Sequence, residues 1–409
     1  MIVEFSVKNF RSIKEMQTIS FVASPLKSAP EYAEVDEHNI VEEGGMRLLK
    51  TVAIYGPNSS GKSNIIKAYE YFLDWVLSPA SPKPNSINIH QPFLYQENYS
   101  ETESFFQLVF IVENKKYRYG FTVKNNLIVD EWLYGVSSKN MVSYFIRKES
   151  KDNIEISHPF IEALNVPKLE FEHNLFLTHV ASFTKNEAYK IWFYLYLYSI
   201  PLTSRKDLRS VTAMQVKHVK GSNDGHQEII DFLKQFDVVY EKIEFEDSGK
   251  PIKSNDYELE KVLVTKRGIQ LNMATHESDG VSKLFDLSGS IRVSLRLGNF
   301  MVQDELDSNF HPALLMKLLS LYNDSKINVG KGQILFTTHD ITLLDPSIMR
   351  RDQFYFTEKD ANDATRLYSL ADLKGIRNDA DFAKQYLAGY YGALPILDTY
   401  VDEKVAQDE

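Results

Sequence analysis

The sequence predicts an α/β fold built on a mainly parallel sheet, and three observations predict it. An apolar run, Leu48–Tyr55, passes through a glycine-containing loop into a helical pattern at Ser63–Leu73. Helix and strand patterns then alternate through the last third: Val281–Leu297 is helical, Phe300–Gln303 extended and His311–Tyr322 helical, followed by strands at Gly332–Thr337 and Gln353–Thr357. Such alternation builds a parallel sheet with crossover helices. Between these parts, Phe105–Val112, Lys116–Val123 and Leu127–Tyr134 read as an antiparallel meander, with Asn114-Lys115 and Asn125-Asn126 as hairpin residues.

The remaining segments follow in order. Met1–Val7 and Met16–Ala23 read as paired strands around Asn9-Phe10-Arg11-Ser12. Ser24–Gly45 is polar and reads as a loop, and Ser78–Asn88, with three prolines, as a linker. From Ser157 to Phe236 the period becomes helical. This stretch is expected to be a helical insertion, and its basic residues Arg205, Lys206, Arg209, Lys217 and Lys220 read by default as solvated surface. Strand patterns return at Val238–Phe245 and Val262–Leu271. No repeat or long heptad run is present, so no coiled-coil arm is expected. The expected division is 1–156 and 237–409 for the two parts of one head, with 157–236 as the insertion.

Bulk properties narrow the function. At 409 residues the chain accommodates one large domain with insertions, or two domains. No stretch reaches the roughly eighteen apolar residues of a membrane helix. The nearest, Ile191–Tyr198, is short and tyrosine-rich, and reads as a buried or interface helix. The absence of cysteine excludes disulfides, thiolate metal sites and cysteine nucleophiles, and fits a cytoplasmic location. Met1–Phe5 is a strand pattern and not a signal peptide. A net charge of −10 does not advertise nucleic-acid binding.

The chemistry centres on Gly56-Pro57-Asn58-Ser59-Ser60-Gly61-Lys62-Ser63, a G-x-x-x-x-G-K-S loop between strand and helix. The first N–H groups of a helix lack intrahelical partners and the dipole favours negative charge, so this loop is a phosphate site. Lys62 is expected to reach the β- and γ-phosphates and Ser63 to hold Mg²⁺. The strand Phe300–Gln303 runs into Asp304-Glu305. There Asp304 is the expected second Mg²⁺ ligand and Glu305 the general base for the attacking water. Thr338-His339-Asp340 follows another strand of the same predicted sheet. Its strand end lines the same crevice, so His339 is expected to touch the γ-phosphate or the water. Glu277-Ser278-Asp279-Gly280 opens a helix. It is either an ordinary cap or a second anion site, which in ABC-type ATPases binds the γ-phosphate held by another subunit.

With these motifs in order, the chain resembles the ABC-class ATPases of the RecF/SMC type. More closely, it is similar to the predicted ATP/GTP phosphatases that include RloA-like and AbiL-like abortive-infection ATPases and the ATPase of PARIS-type antiphage defence systems. Phe5–Ser12, Pro92-Phe93, Asp304–Asp307, His311-Pro312 and Tyr386–Pro395 carry the likeness alongside the motifs above. The resemblance implies an ABC-type P-loop ATPase head with a mixed, largely parallel sheet, an N-terminal antiparallel β subdomain and a helical insertion. It assigns Gly56, Asn58, Gly61, Lys62 and Ser63 to the Walker A loop, and Asp304 and Glu305 to Walker B. Ser278 and Gly280 become the signature, Asp307 the D-loop and His339 the switch histidine. It brings Arg11 toward the nucleotide and leaves Gln91 and Gln96 as alternative Q-loop residues. Asp279 and Glu277 depart from the usual Leu-Ser-Gly-Gly-Gln.

The implied function is an ATP- and Mg²⁺-dependent ATPase. Nucleotide joins two copies, and the dimer controls a separate effector, such as a Toprim-like nuclease, in abortive-infection defence. The alternatives are a RecF-like DNA-repair ATPase, which needs a basic channel for nucleic acid, and a metabolic kinase, which needs an acceptor site. A fused nuclease is not expected: about half a domain follows His339, and Asp360 and Asp363 read as loop residues.

Overall fold

The computed structural model describes residues 1–79, 89–137, 140–198, 204–217, 224–245 and 262–395. The expected linker from 80 onward, and Lys220, lie outside these residues. Two sheets dominate. The first is antiparallel and seven-stranded, in the order β10-β9-β8-β7-β6-β1-β2. Its strands are β1 (Ile2–Lys8), β2 (Gln17–Ser20), β6 (Ser104–Val112), β7 (Lys115–Lys124), β8 (Leu127–Ser137), β9 (Asn140–Arg147) and β10 (Ile154–Ile156). Its tight turns are read from the sequence with one slip. Asn125 and Asn126 both take positive φ, as a two-residue hairpin requires, but the preceding turn uses Glu113-Asn114, one residue earlier than expected.

The second sheet is five-stranded, in the order β14-β15-β5-β16-β17, from β5 (Thr51–Tyr55), β14 (Phe300–Gln303), β15 (Gln333–Thr337), β16 (Phe354–Lys359) and β17 (Thr365–Ser369). The first four run parallel and β17 is antiparallel. Because side chains alternate along a strand, each parallel strand feeds two cores. Val52 and Ile54 pack toward the antiparallel sheet with α2 (Lys62–Leu77). Ala53 and Tyr55 pack toward a second core with α8 (Asp279–Leu297) and α9 (Pro312–Asn323). Aromatic contacts fill the first core; Phe72 of α2 stacks on Phe121 of β7 with ring centroids 5.5 Å apart.

Leu48–Tyr55 is not one strand. It divides at Lys50 into β4 (Met46–Leu49), paired with β3 (Ile40–Glu43), and β5 in the parallel sheet. Both halves are apolar, so only the choice of partner separates them. The segment 24–45 is not simply a loop, since it holds α1 (Ala33–His38) and β3. Tertiary contacts secure this short helix: Asp36 pairs with Arg350, and the Asn39 amide donates to Ile348 O (2.9 Å) and Gln353 Oε1 (2.8 Å). Val262–Leu271 is a hairpin, β12 (Val262–Lys266) and β13 (Ile269–Asn272), turned by Arg267-Gly268 at positive φ. It adds β11 (Lys242–Phe245) to make a three-stranded sheet and leads into α7 (Met273–His276).

Among the described residues, the helical stretch forms no core of its own. α3 (Phe176–Phe183) and α4 (Glu187–Tyr198) bury their apolar faces in the first core. α5 (Arg205–Lys217) and α6 (Asp224–Lys234) contribute to the second, where α10 (Phe382–Leu387) also packs. Thr212 of α5 presses against Gly289 of α8, where a Cβ would lie 2.6 Å from the Thr212 backbone.

Candidate functional site

The phosphate loop leaves β5 at Gly56 and enters α2 after Gly61, both at positive φ (147° and 106°). Neither position has room for a side chain. A Cβ on Gly56 would lie 2.4 Å from Thr357 O, and one on Gly61 would lie 2.0 Å from Thr365 Oγ1. The loop is buttressed by β16, β17 and the turn after β1. Thr357 Oγ1 bonds Ser60 Oγ (2.6 Å), Thr365 Oγ1 donates to Ser60 O (3.0 Å), and Ser12 Oγ joins Thr365 Oγ1 (2.7 Å). Asn64 on α2 donates to Ser12 Oγ at 2.6 Å. Ser12 belongs to the Phe5–Ser12 stretch that carries the likeness, with no role expected of it; Thr357 and Thr365 lie about three hundred positions from the loop and match no local motif.

Lys62 is buried. Its ammonium donates to Gly56 O (2.8 Å) and Pro57 O (3.0 Å), spanning the loop it is expected to serve. Burial pulls its pKa below the ordinary lysine value, and the carboxylates of Asp304, Glu305 and Asp307 pull the other way. That field exists because β14, β15 and β5 are adjacent and parallel, so their C-terminal ends open on one edge.

On this edge Thr337, the last residue of β15, organises the acidic pair. Its hydroxyl donates to Asp304 Oδ1 (2.6 Å) and accepts from Glu305 N (2.7 Å). Glu305 is exposed and holds a left-handed φ of 48°, uncommon for a non-glycine residue. His339 is also exposed, and its backbone N–H donates to Asp307 Oδ2 at 3.1 Å. The other oxygen of Asp307 is buried without a hydrogen-bond partner among the described residues.

Ser278 caps α8, its hydroxyl accepting from Val281 N at 3.3 Å. Ser278 and Asp279 face solvent. Gly280 lies against the loop after β14, where a Cβ would come within 2.5 Å of Asn309 O. Lys283, on the next turn of α8, also escaped the sequence reading. It is buried, and its ammonium donates to Glu305 O (2.9 Å), Leu306 O (3.0 Å), Ser308 O (2.9 Å) and Ser308 Oγ (2.6 Å). Burial lowers its pKa to about 8. The available signal was a lone lysine directly before the buried run Leu284–Leu287.

Arg11 takes a φ of 50° and docks on Gln91: Arg11 N donates to Gln91 O (2.8 Å) and Arg11 Nε to Gln91 Oε1 (2.7 Å). Gln96 is exposed. The Tyr386–Pro395 segment hooks back beside the loop, held by Tyr386 OH to Ala393 O (2.9 Å) and Tyr368 OH to Tyr391 O (2.6 Å). It walls a cleft of about 790 Å³ whose lining includes Gly56, Pro57, Asn58 and His339. Asp360 and Asp363 lie in the turn between β16 and β17. Among the described residues, no helix is long and apolar enough to cross a membrane.

The profile of the protein family described as "AAA domain, putative AbiEii toxin, Type IV TA system" matches residues 52–345. No curated protein matches the chain. Among solved structures, the SMC head domain from Thermotoga maritima is similar at 14% identity and a TM-score of 0.43, over 90% of this chain and 98% of that one.

Proposed function

The chain belongs to this AAA-domain family, whose P-loop ATPases are linked to toxin–antitoxin and abortive-infection systems, and from that premise we propose that it is a Mg²⁺-dependent ATPase in which bound ATP joins two copies and hydrolysis releases them. One observation carries the reading. Three adjacent parallel strand ends gather the phosphate loop, His339 and Asp304-Glu305 on one edge, while Ser278 and Asp279 at the start of α8 are exposed. In this reading Lys62 and the loop N–H groups bind the phosphates. The oxygen-only pair of Ser63 and Asp304 suits Mg²⁺, which when bound offsets the charge on the phosphate oxygens. Thr337 already orients one Asp304 oxygen. Glu305 accepts the proton of the attacking water, and His339 contacts the γ-phosphate. Ser278 and Gly280 complete the pocket of the other copy, with Asp307 between the two. Arg11 approaches the nucleotide from the turn after β1.

The finer likeness to RloA-like, AbiL-like and PARIS-type ATPases belongs to the same proposal, as does a separate effector such as a Toprim-like nuclease in antiphage defence. The motif set supports the likeness, and the effector is what that likeness implies. Lys62→Ala is expected to abolish nucleotide binding, and Glu305→Gln to bind ATP normally while turnover stalls. Phosphate release and nucleotide titration check both, and normal turnover by Glu305→Gln removes the base assignment. The DNA-repair alternative predicts tight DNA binding that weakens steeply with salt; the net charge of −10 argues against it. The effector reading predicts co-purification with a nuclease.

A further inference from the structure

We propose that Lys283 is the positioning residue for Glu305, locking the acidic loop to the helix that begins at Ser278. This rests on the reading of Glu305 as the base. The loop from Asp304 to Phe310 is held on two sides. On the sheet side, Thr337 receives Glu305 N through its hydroxyl and Leu306 N through its carbonyl (3.0 Å). On the helix side, Lys283 fills a nest of backbone oxygens, those of Glu305, Leu306 and Ser308, and bonds the Ser308 hydroxyl.

None of these four acceptors is a carboxylate. The ammonium therefore does not serve as half of an ion pair in this nest; it organises backbone. The ammonium, whose three N–H groups share these four acceptors, also lies 5.0 Å from the centroid of the Phe310 ring. A buried ammonium is costly unless its donors are matched, so the nest and the lysine require one another. The loop holds two left-handed residues, Glu305 (φ 48°), whose carbonyl Lys283 bonds, and Asn309 (φ 62°), which follows Ser308. Such residues persist only where their surroundings hold them.

Gly280 gives a second contact, with no space for a side chain against Asn309 O. The first turns of α8 and the Glu305 loop are thus one body. Any shift of Ser278 on meeting a phosphate must move the carbonyl of Glu305, and with it the direction of its carboxylate. Engagement at one pocket is thereby transmitted to the base of the same chain.

The test uses the full chain. Lys283→Met is expected to lower kcat by about 100-fold, the scale of a misplacement of about 1 Å, with ATP affinity within about twofold of the parent. Ser308→Ala, at an exposed position, removes one of the four contacts and should lower kcat several-fold with affinity unchanged. Because Lys283 acts through Glu305, adding Lys283→Met to Glu305→Gln should cost nothing further, whereas independent effects would multiply. Multiplying losses, or kcat within about twofold of the parent in both Lys283→Met and Ser308→Ala, overturn the proposal. A loss of kcat matched by an equal loss of ATP-binding stoichiometry signals unfolding of the variant. Should Lys283→Met fail to fold, Ser308→Ala and its cycle with Glu305→Gln decide alone. Normal turnover by Glu305→Gln indicts the base assignment itself, an outcome distinct from additive losses.

Discussion

Gly61 shows how one residue limits this site. Its φ of 106° is open to glycine, and Thr365 Oγ1 occupies the space a Cβ would need. Gly61→Ala must displace Thr365 or the loop, and backbone strain of this kind costs about 1–3 kcal/mol. If that cost falls on the binding conformation, ATP affinity drops roughly 5- to 150-fold, and fluorescent-nucleotide titration checks it. Gly45 is a useful control. It also has a positive φ, but a Cβ there would meet nothing within 4 Å, so Gly45→Ala should leave ATP affinity unchanged. The motif pattern marks Gly61 in the sequence. What crowds it is legible only once β17 is known to lie alongside.

At the scale of elements, α2 and α8 carry the site and their burial can be probed separately. On α2, burial, with Glu70 adding, pushes the Asp74 carboxyl up to about 6 from an ordinary 3.8. The native state then binds this proton more tightly than the unfolded chain, so stability falls as pH rises through this window, and the penalty persists above it. Asp74→Asn is therefore expected to raise Tm at pH 7.5, with the gain vanishing near pH 4; scanning calorimetry at both values reads the difference. On α8, fully buried Asp286 is bound by Arg209 Nε (2.8 Å) and Arg205 Nε (3.0 Å) from α5. Asp286→Ala leaves the half-buried Arg209 without its carboxylate partner and should cost about 3 kcal/mol in urea unfolding. The basic residues of α5 had read as solvated surface. Two of them instead clamp α8, because α5 lies across its buried face.

For the whole molecule, the decisive property is whether a complete pocket needs two chains. The helix start at Ser278 is exposed, so it is open to a phosphate held by another copy. Glu305→Gln with ATP and Mg²⁺ is expected to run as a dimer by light scattering, and Lys62→Ala as a monomer under the same conditions. A mixing experiment isolates the trans contact. Lys62→Ala and Ser278→Arg should each be inactive, but a mixture should recover turnover, since one chain supplies the loop and the other the helix start. No recovery on mixing, with both variants folded, counts against a shared pocket.

By itself the sequence determined the local chemistry: a glycine loop between strand and helix, carboxylates ending Phe300–Gln303, a histidine after Gln333–Thr337, and most strand and helix positions. These are written in short-range signals, side-chain periodicity and backbone freedom, that act within a few residues. Only the tertiary structure decided which apolar run joined which sheet, splitting Leu48–Tyr55 at Lys50. It also decided that Thr357 and Thr365 brace the loop and that Lys283 gathers the Glu305 carbonyl. Those choices depend on contacts between residues far apart in the chain, and no local pattern encodes which distant partner will fill a given space.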